Sequence, residues 1–147
     1  MRIPTATYRV QCNASFGFTK ARELVSYLGK LGVSDLYTSP IVAARPGSAH
    51  GYDVIDPTRL NPELGSEAEF QALADELRAR NMGLLLDIVP NHMSATPDNP
   101  WWAGVLRDGP SSPYAAFFDI DWDAADGKLV LPVLGRPYRE ALAGGEL

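Results

Sequence analysis

The chain has 147 residues, of which 46% are hydrophobic and 21% are charged, and its formal net charge is −5. This length and composition are typical of one globular domain with an apolar core. Because Lys and Arg are not in excess, the chain offers no electrostatic basis for binding nucleic acid. Cys12 is the only cysteine, which excludes an intrachain disulfide and a cluster of thiolate ligands for a metal.

Two further features bear on location. Residues 1–5 lack the uninterrupted apolar stretch of a signal peptide. No window approaches the roughly 18 apolar residues that a membrane helix needs. The sequence therefore predicts a cytoplasmic protein with no membrane partner.

The first part of the chain alternates strand and helix patterns. Residues 5–12 alternate apolar and polar side chains and predict a strand, and Thr19 is the predicted N-cap of the helix that follows. Gly32 offers that helix a left-handed exit, and residues 33–37 predict a second strand. The apolar face predicted for the helix consists of Ala21, Leu24, Val25, Leu28 and Leu31.

A long connection and a second helix come next. Residues 41–65 are rich in proline and glycine, and a connection of this length is usually functional or disordered. Ser66 and Glu69 match a capping box, and an apolar helical stripe follows them. Residues 83–89 predict the third strand. The order predicts two βαβ units with parallel strands and right-handed crossovers. The stripe consists of Phe70, Leu73, Ala74 and Leu77.

The composition changes after Pro90. Prolines, aspartates and aromatic residues dominate, and only residues 128–131 predict a strand. This texture indicates the beginning of an irregular inserted subdomain. Its aromatic side chains predict a small hydrophobic core, with a sugar platform as the less favoured alternative. They are Trp101, Trp102, Phe117, Phe118 and Trp122.

Polar residues follow the third predicted strand. Asp87, Asn91 and His92 come at the end of a branched apolar run, as happens where a buried parallel strand opens into a pocket. His92 is predicted to exchange hydrogen bonds with sugar hydroxyls. Asp87 has two roles that remain equally open: contact with substrate, or holding neighbouring loops and an arginine in place. Asn91 is predicted to orient the loop backbone.

The long connection contributes an aromatic residue flanked by titratable ones. Tyr52 has a flat apolar face and a polar tip, which suit stacking on a sugar ring. His50 is predicted either to line the pocket or to stabilise the loop, and Asp53 and Asp56 to fix a turn. His50, Asp53, Asp87 and His92 are residue types that could hold zinc, but their spacing matches no known ligand motif. No metal and no cofactor are therefore predicted.

Longer segments carry a family resemblance. Residues 51–53 (Gly-Tyr-Asp) and 87–92 (Asp-Ile-Val-Pro-Asn-His) are general marks of the α-amylase superfamily of glycoside hydrolases. More specific segments make the chain resemble the N-terminal part of the maltooligosyl trehalose synthases, a family within that superfamily. The match runs through nearly the whole chain. The specific segments are residues 6–11, 36–41, 45–54, 61–65, 117–122 and 131–135.

The resemblance implies an α/β fold, the first part of a (β/α)₈ TIM barrel. Residues 1–93 would form the first three βα units of the catalytic barrel, and residues 94–147 the beginning of a subdomain inserted after strand 3. Tyr52 would stack on the sugar on the non-reducing side of the cleaved bond, and His92 would bind that ring's hydroxyls. Asp87 would support the pocket. The catalytic carboxylates of the family follow the fourth, fifth and seventh strands, so no catalytic residue is expected in this chain.

The resemblance also implies an activity for the intact protein. Maltooligosyl trehalose synthases are isomerases that convert the terminal α-1,4 link of a maltooligosaccharide into the α,α-1,1 link of trehalose, by retaining glycosidase chemistry. A maltooligosyltrehalose trehalohydrolase is the pathway partner that it suggests. The chain alone is expected to be inactive. The alternatives are another α-glucan hydrolase or transglycosylase of the superfamily, or a non-catalytic carbohydrate-binding fragment.

Overall fold

A computed structural model describes residues 3–131 and 133–146. The chain divides by its internal contacts into two units, residues 1–103 and 104–147. The strands are β1 (Thr7–Val10), β2 (Asp35–Thr38), β3 (Val42–Ala44), β4 (Val54–Leu60) and β5 (Gly83–Leu86). The helices are α1 (Phe18–Leu31), α2 (Glu67–Ala79), α3 (Pro100–Asp108) and α4 (Tyr138–Ala143). Short 3₁₀ segments span Pro62–Leu64, Gly109–Ser111 and Ala115–Phe117.

The main sheet is parallel, as the βαβ pattern predicts. Its strand order is β1-β2-β5, with β2 in the centre. Arg9 pairs with Tyr37, and Tyr37 pairs with Leu85. Since side chains alternate between the two faces of a strand, these three residues share one face of the sheet.

The opposite face of the sheet carries the apolar core. Val10 and Leu36 belong to one buried cluster with the apolar stripes of α1 and α2. Leu36 is completely buried. The two helices therefore cover one face of the sheet, and the polar side chains of Arg9 and Tyr37 lie on the opposite face. The buried helical residues are Phe18, Ala21, Val25, Leu28, Leu73 and Leu77.

The helix ends test the predicted caps. The capping box is confirmed: the Ser66 hydroxyl accepts from the Glu69 amide, and the Glu69 carboxylate accepts from the Ser66 amide. Gly32 is confirmed as a left-handed exit, with φ of 88°. The Thr19 cap is wrong, because α1 already begins at Phe18 and Thr19 donates its hydroxyl to Glu69 at 2.7 Å. Hydrogen bonding to the neighbouring helix has replaced capping.

Three other predictions are corrected. Leu31 is 58% exposed, because it is the last residue of α1 and the chain turns away at Gly32. Residues 41–65, predicted as a long connection, contain two strands: β3 and β4 pair there as an antiparallel ribbon with register shifts. β4 has a mixed composition that includes a proline, so it lacks the regular alternation of apolar and polar residues that predicts a strand. The third parallel strand ends at Leu86, three residues earlier than predicted.

The short strand predicted at residues 128–131 is absent from the described part of the chain. The segment directly follows a turn at Gly127, whose φ is 77°, and the Val130 side chain is 71% exposed. An apolar run with no strand beside it to supply hydrogen bonds stays irregular. No helix among the described residues is both long enough and apolar enough to cross a bilayer.

The approach of α1 to the loop before α2 depends on Gly17. An added Cβ would lie 2.2 Å from the backbone oxygen of Leu64. We expect Gly17→Ala to lower the free energy of unfolding by about 1–3 kcal/mol, because backbone atoms must move to relieve the clash. Urea denaturation followed by circular dichroism measures this change.

The matched control is Gly29→Ala within α1. A Cβ there would meet its nearest neighbour, the Met82 sulfur, at an ordinary 3.6 Å. Since alanine favours a helix over glycine by about 1 kcal/mol, this variant is expected to be as stable as the parent or more stable. Equal effects of the two substitutions would contradict the assignment of the Gly17 contact.

Candidate functional site

The candidate site is centred on the carboxylate of Asp87, directly after β5. Its Oδ2 atom accepts hydrogen bonds from the Tyr52 hydroxyl at 2.5 Å and from the Tyr37 hydroxyl at 3.1 Å. The Arg9 guanidinium completes the set at 3.4 Å. One oxygen atom thus joins β1, β2, β5 and the loop before β4. We call these four residues the Asp87 cluster.

Arg9 links the other members of the Asp87 cluster. Its Nη2 atom donates to the Tyr52 hydroxyl oxygen at 3.0 Å, and Nη1 donates to Gln11 Oε1 at 3.1 Å. The guanidinium carbon also lies 5.5 Å from the centre of the Tyr37 ring, a cation–π distance. Arg9 therefore connects both tyrosines to the carboxylate.

The strand register explains why these side chains meet. Arg9 and Tyr37 are paired on the same face of the sheet, and Asp87 lies two residues beyond Leu85, the partner of Tyr37. The Asp87 amide donates to the Thr38 carbonyl at 3.1 Å, which continues the pairing past the end of β5. The period of two along a strand therefore directs all three side chains to one face at the carboxyl ends of the strands.

Hydrogen bonding sets the charge states in the cluster. The bond from Tyr52, with further bonds from Tyr37 and Arg9, lowers the pKa of Asp87 although burial acts in the opposite direction. The same bond to Asp87 raises the pKa of Tyr52. At neutral pH the site therefore holds a carboxylate, a protonated phenol and a guanidinium. The Asp87 side chain is 14% exposed and that of Arg9 38%.

The lowered pKa of Asp87 predicts acid sensitivity. A carboxyl group whose pKa is lower in the folded than in the unfolded chain stabilises the fold at neutral pH, and this contribution disappears as the pH falls through the folded-state pKa. We expect the stability difference between the parent and Asp87→Asn to be largest above about pH 5 and to shrink towards pH 2. Urea denaturation at a series of pH values measures it. A difference that grows as the pH falls would contradict the assigned hydrogen bonds.

The loop that carries Tyr52 is held by side-chain to backbone hydrogen bonds. The Ser48 hydroxyl accepts from the Gly51 amide at 3.0 Å and donates to Asp53. Gln11 donates to the carbonyl oxygens of Ala49 and His50, each at 3.3 Å. These contacts fix the loop against the end of β1.

Gly51 allows the loop to approach the end of β2. Its φ is +78°, and an added Cβ would lie 2.9 Å from the Pro40 carbonyl oxygen. Glycine accommodates both conditions because it has no Cβ. This close approach places Tyr52 beside the carboxyl ends of the strands.

His50 and Asp53 support Tyr52 from within the loop. The His50 Nδ1 atom accepts from the Tyr52 amide at 3.0 Å, and the two rings stack with centroids 5.8 Å apart and planes inclined by 23°. The same nitrogen lies 3.9 Å from Asp53 Oδ1. The predicted turn at Asp56 is wrong, because Asp56 lies within β4, where its carboxylate accepts from the Thr58 amide at 2.9 Å and pairs with Arg59 Nε at 3.0 Å.

The structure brings together some of the predicted site residues and not others. His50, Tyr52, Asp53 and Asp87 are connected by the contacts above. Asn91 and His92 follow Asp87 but are exposed, and within the described part of the chain they take no part in the hydrogen bonds of the cluster. Their predicted contacts with sugar remain predictions.

Arg9, Tyr37 and Gln11 were missed as site residues. All three lie in segments that carry the family resemblance, and Arg9 and Gln11 alternate with the apolar Val10. An outward-facing arginine in the first strand is a common surface feature, so the sequence alone gave no reason to single it out. The position of Arg9 opposite Tyr37 would identify it as a site residue, but this pairing is known only once β1 and β2 are aligned.

The aromatic residues after Asn99 are not equivalent to one another. Trp102 is buried, whereas Phe117 is 63% exposed. Asp121 accepts from the amides of Asp123 and Ala124 at 3.0 and 3.1 Å, which assigns it a turn-forming role. These contacts support the local fold and give no evidence for a sugar site.

Comparison with known proteins agrees with this geometry. The family model described as alpha amylase, catalytic domain, matches residues 21–139. A Mycobacterium tuberculosis protein described as "Putative maltooligosyl trehalose synthase" is 51% identical over 137 residues. That match covers 88% of this chain and 18% of the relative. The alpha-amylase SusG of Bacteroides thetaiotaomicron is 37% identical over 111 residues, 73% of this chain and 15% of that protein.

Solved structures also resemble this chain. The maltooligosyltrehalose synthase of Arthrobacter ramosus superposes with a TM-score of 0.86 at 44% sequence identity. The match covers 95% of this chain and 19% of that one. The chain thus spans about a fifth of the length of the relatives it matches. A family match over most of the chain, together with the parallel strands that end at the Asp87 cluster, shows that this chain belongs to the α-amylase family, within the catalytic domain.

Proposed function

We propose that this chain forms part of a maltooligosyl trehalose synthase and contributes one wall of its sugar pocket. The observation that carries the proposal is the Asp87 cluster at the carboxyl ends of three parallel strands, where barrel enzymes place their functional groups. Identities of 51% and 44% to proteins named as such synthases support this member of the family over others. The substrate would be a maltooligosaccharide.

The role of each site residue in binding follows from its surroundings. One face of the Tyr52 ring is stacked on His50, and a sugar ring would pack against the opposite face. His92 is exposed and would supply hydrogen bonds to the hydroxyls of that sugar. Asp53 and Asn91 would support the loops at the edge of the pocket.

Asp87 is a poor candidate for the nucleophile. Its Oδ2 atom already accepts three hydrogen bonds, and only 14% of its side chain is exposed. A carboxylate engaged in this way would have to break those bonds before it attacked an anomeric carbon. We assign it a supporting role, and place the catalytic pair of carboxylates, about 5 Å apart in retaining enzymes, on later strands of the barrel.

The reaction would then be an internal transfer of a sugar. The terminal α-1,4 link breaks with formation of a glycosyl-enzyme intermediate, and the released glucose attacks that intermediate through its own anomeric hydroxyl. The new bond is an α,α-1,1 link, so no atoms are gained or lost overall. Water must be excluded while the glucose turns, because hydrolysis would otherwise compete. A trehalohydrolase that cleaves the product is the partner that we propose.

The three parallel strands would be the first three of the (β/α)₈ barrel. β1 and β5 each lack a second neighbour among the described residues, and Leu86 is 47% exposed. Such edges are usually covered by further strands. Residues 1–93 would be these first barrel units and residues 94–147 the start of the inserted subdomain, although the contacts within the chain divide at residues 103 and 104.

A second candidate is a hydrolase or another transglycosylase of the same family. The 37% identity to the alpha-amylase SusG favours it. Both candidates share the proposed sugar pocket and differ in the acceptor of the transferred glucosyl group. The products therefore distinguish them.

The test replaces the matching segment of the Arthrobacter ramosus enzyme with this chain. Incubated with maltopentaose, the grafted enzyme is expected to remove reducing ends without releasing glucose. A net increase in reducing ends would favour the hydrolase. The 147-residue chain alone is the control and is expected to give no turnover. Turnover by this control would overturn the placement of the catalytic carboxylates on later strands.

A further inference from the structure

Both sides of the Tyr52 hydroxyl are already used within the chain. It donates to Asp87 Oδ2 at 2.5 Å and accepts from Arg9 Nη2 at 3.0 Å. A phenolic hydroxyl has one proton, and that proton is engaged by the carboxylate. The Tyr52 hydroxyl therefore cannot donate to a sugar without losing its bond to Asp87, whereas stacking through the ring face keeps that bond.

The backbone at Tyr52 is held by a second set of contacts, separate from those of its hydroxyl. Its amide donates to His50 Nδ1, and the His50 ring stacks on the same side chain. The neighbouring carbonyls of Ala49 and His50 are held by Gln11, which also accepts from Arg9. Arg9 thus reaches Tyr52 by two routes, one through the hydroxyl and one through Gln11 and the loop.

We propose that Arg9 is a positioning residue that fixes the Tyr52 ring for stacking on a sugar, together with Asp87, to which Tyr37 also donates. This inference rests on the proposed function, since it concerns the same sugar pocket. Arg9 acts through Tyr52 and does not itself touch the sugar. Sugar recognition by Tyr52 then depends on its ring face and on that ring being held still before binding.

Arginine suits this role better than lysine. Its planar guanidinium donates to Tyr52 and Gln11 through different nitrogens while it lies over the Tyr37 ring. A lysine ammonium is a point charge that cannot keep all these directions at once. Ordering a side chain before binding raises affinity, because the entropy cost is met during folding.

The first experiment needs no sugar. The tyrosines of the 147-residue chain are labelled with ¹³C at Cζ, and Tyr52 is assigned from the signal that Tyr52→Phe removes. The Asp87 bond raises the pKa of Tyr52 and the Arg9 bond lowers it. We therefore expect Arg9→Met to move the Tyr52 titration to higher pH and Asp87→Asn to move it to lower pH. Arg78→Met, which breaks an exposed pair with Asp75, is the control and should leave it unchanged.

The second experiment measures maltopentaose affinity by NMR titration of the same chain. Arg9→Met is expected to weaken binding about threefold to tenfold, and Arg9→Lys to weaken it less. In a Tyr52→Ala background, Arg9→Met should change the affinity by less than about 1.5-fold, because a positioning residue has no effect once its target is removed. Circular dichroism spectra confirm that each variant is folded.

The outcomes separate the inference from the proposed function. Equal losses in the parent and Tyr52→Ala backgrounds would mean that Arg9 contacts the sugar, which overturns the inference. A Tyr52 titration that Arg9→Met leaves unmoved overturns it as well, with or without sugar. If the parent chain binds no maltopentaose, the sugar pocket proposed for this chain fails, and the titration still decides whether Arg9 holds Tyr52.

Discussion

Asp87→Ala is expected to lower kcat/KM of the grafted enzyme for maltopentaose about 100-fold or more. The carboxylate is the common acceptor for Tyr52, Tyr37 and Arg9, so its removal leaves these donors without their shared partner. A displacement of about 1 Å at a group that positions substrate can cost about 100-fold in rate. Initial rates of loss of reducing ends measure the effect.

The control for Asp87→Ala is Asp75→Ala. Asp75 also pairs with an arginine, Arg78, but its side chain is 56% exposed and lies on α2. Exposed ion pairs contribute little, so this variant should retain the parent rate within about twofold. If Asp87→Ala were equally active, the cluster would have no part in binding or turnover.

Leu73→Ala is expected to lower the free energy of unfolding of the 147-residue chain by about 2–5 kcal/mol. Leu73 lies on α2, is 1% exposed, and belongs to the cluster that joins both helices to the sheet. The truncation removes buried methyl groups and leaves a cavity that its neighbours fill only in part. Urea denaturation monitored by circular dichroism provides the measurement.

Leu31→Ala is the matched control in α1. Leu31 is 58% exposed, so its truncation removes little buried area and is expected to cost less than about 0.5 kcal/mol. Similar losses from Leu31→Ala and Leu73→Ala would contradict a core that contains Leu73 and leaves Leu31 exposed. They would mean that Leu31 is buried with the rest of the apolar face of α1, as the sequence predicts.

The order of the three parallel strands and of α1 and α2 could be predicted because it depends on local patterns. The stripe of α2 and its capping box are complete within thirteen helical residues and the preceding serine. The ribbon of β3 and β4 could not be predicted in the same way, because its pairing is non-local and irregular. The exposure of Leu31 likewise depends on where the chain turns, not on helical spacing.

The candidate site was predicted only in part, because some of its contacts are non-local. In the described structure Asp87 contacts Tyr52 in the loop and Arg9, which favours the holding role, and its contact with substrate stays a prediction. Tyr52 and His50 were singled out by residue type, and the structure brings them into contact with each other, while their part in sugar binding stays a prediction. Arg9 was missed because its contacts depend on alignment with Tyr37 across two strands. His92 lies near the site along the chain, but hydrogen bonds of the described residues do not tie it to the cluster.

The most direct test of a sugar site beside the Asp87 cluster is an NMR titration of the tyrosine-labelled chain with maltopentaose. We expect saturable shifts for Tyr52 and smaller ones for Tyr37, with no change for Tyr27 and Tyr138, which are 61% and 60% exposed elsewhere in the chain. Shifts at Tyr27 or Tyr138 with Tyr52 unmoved would contradict this expectation.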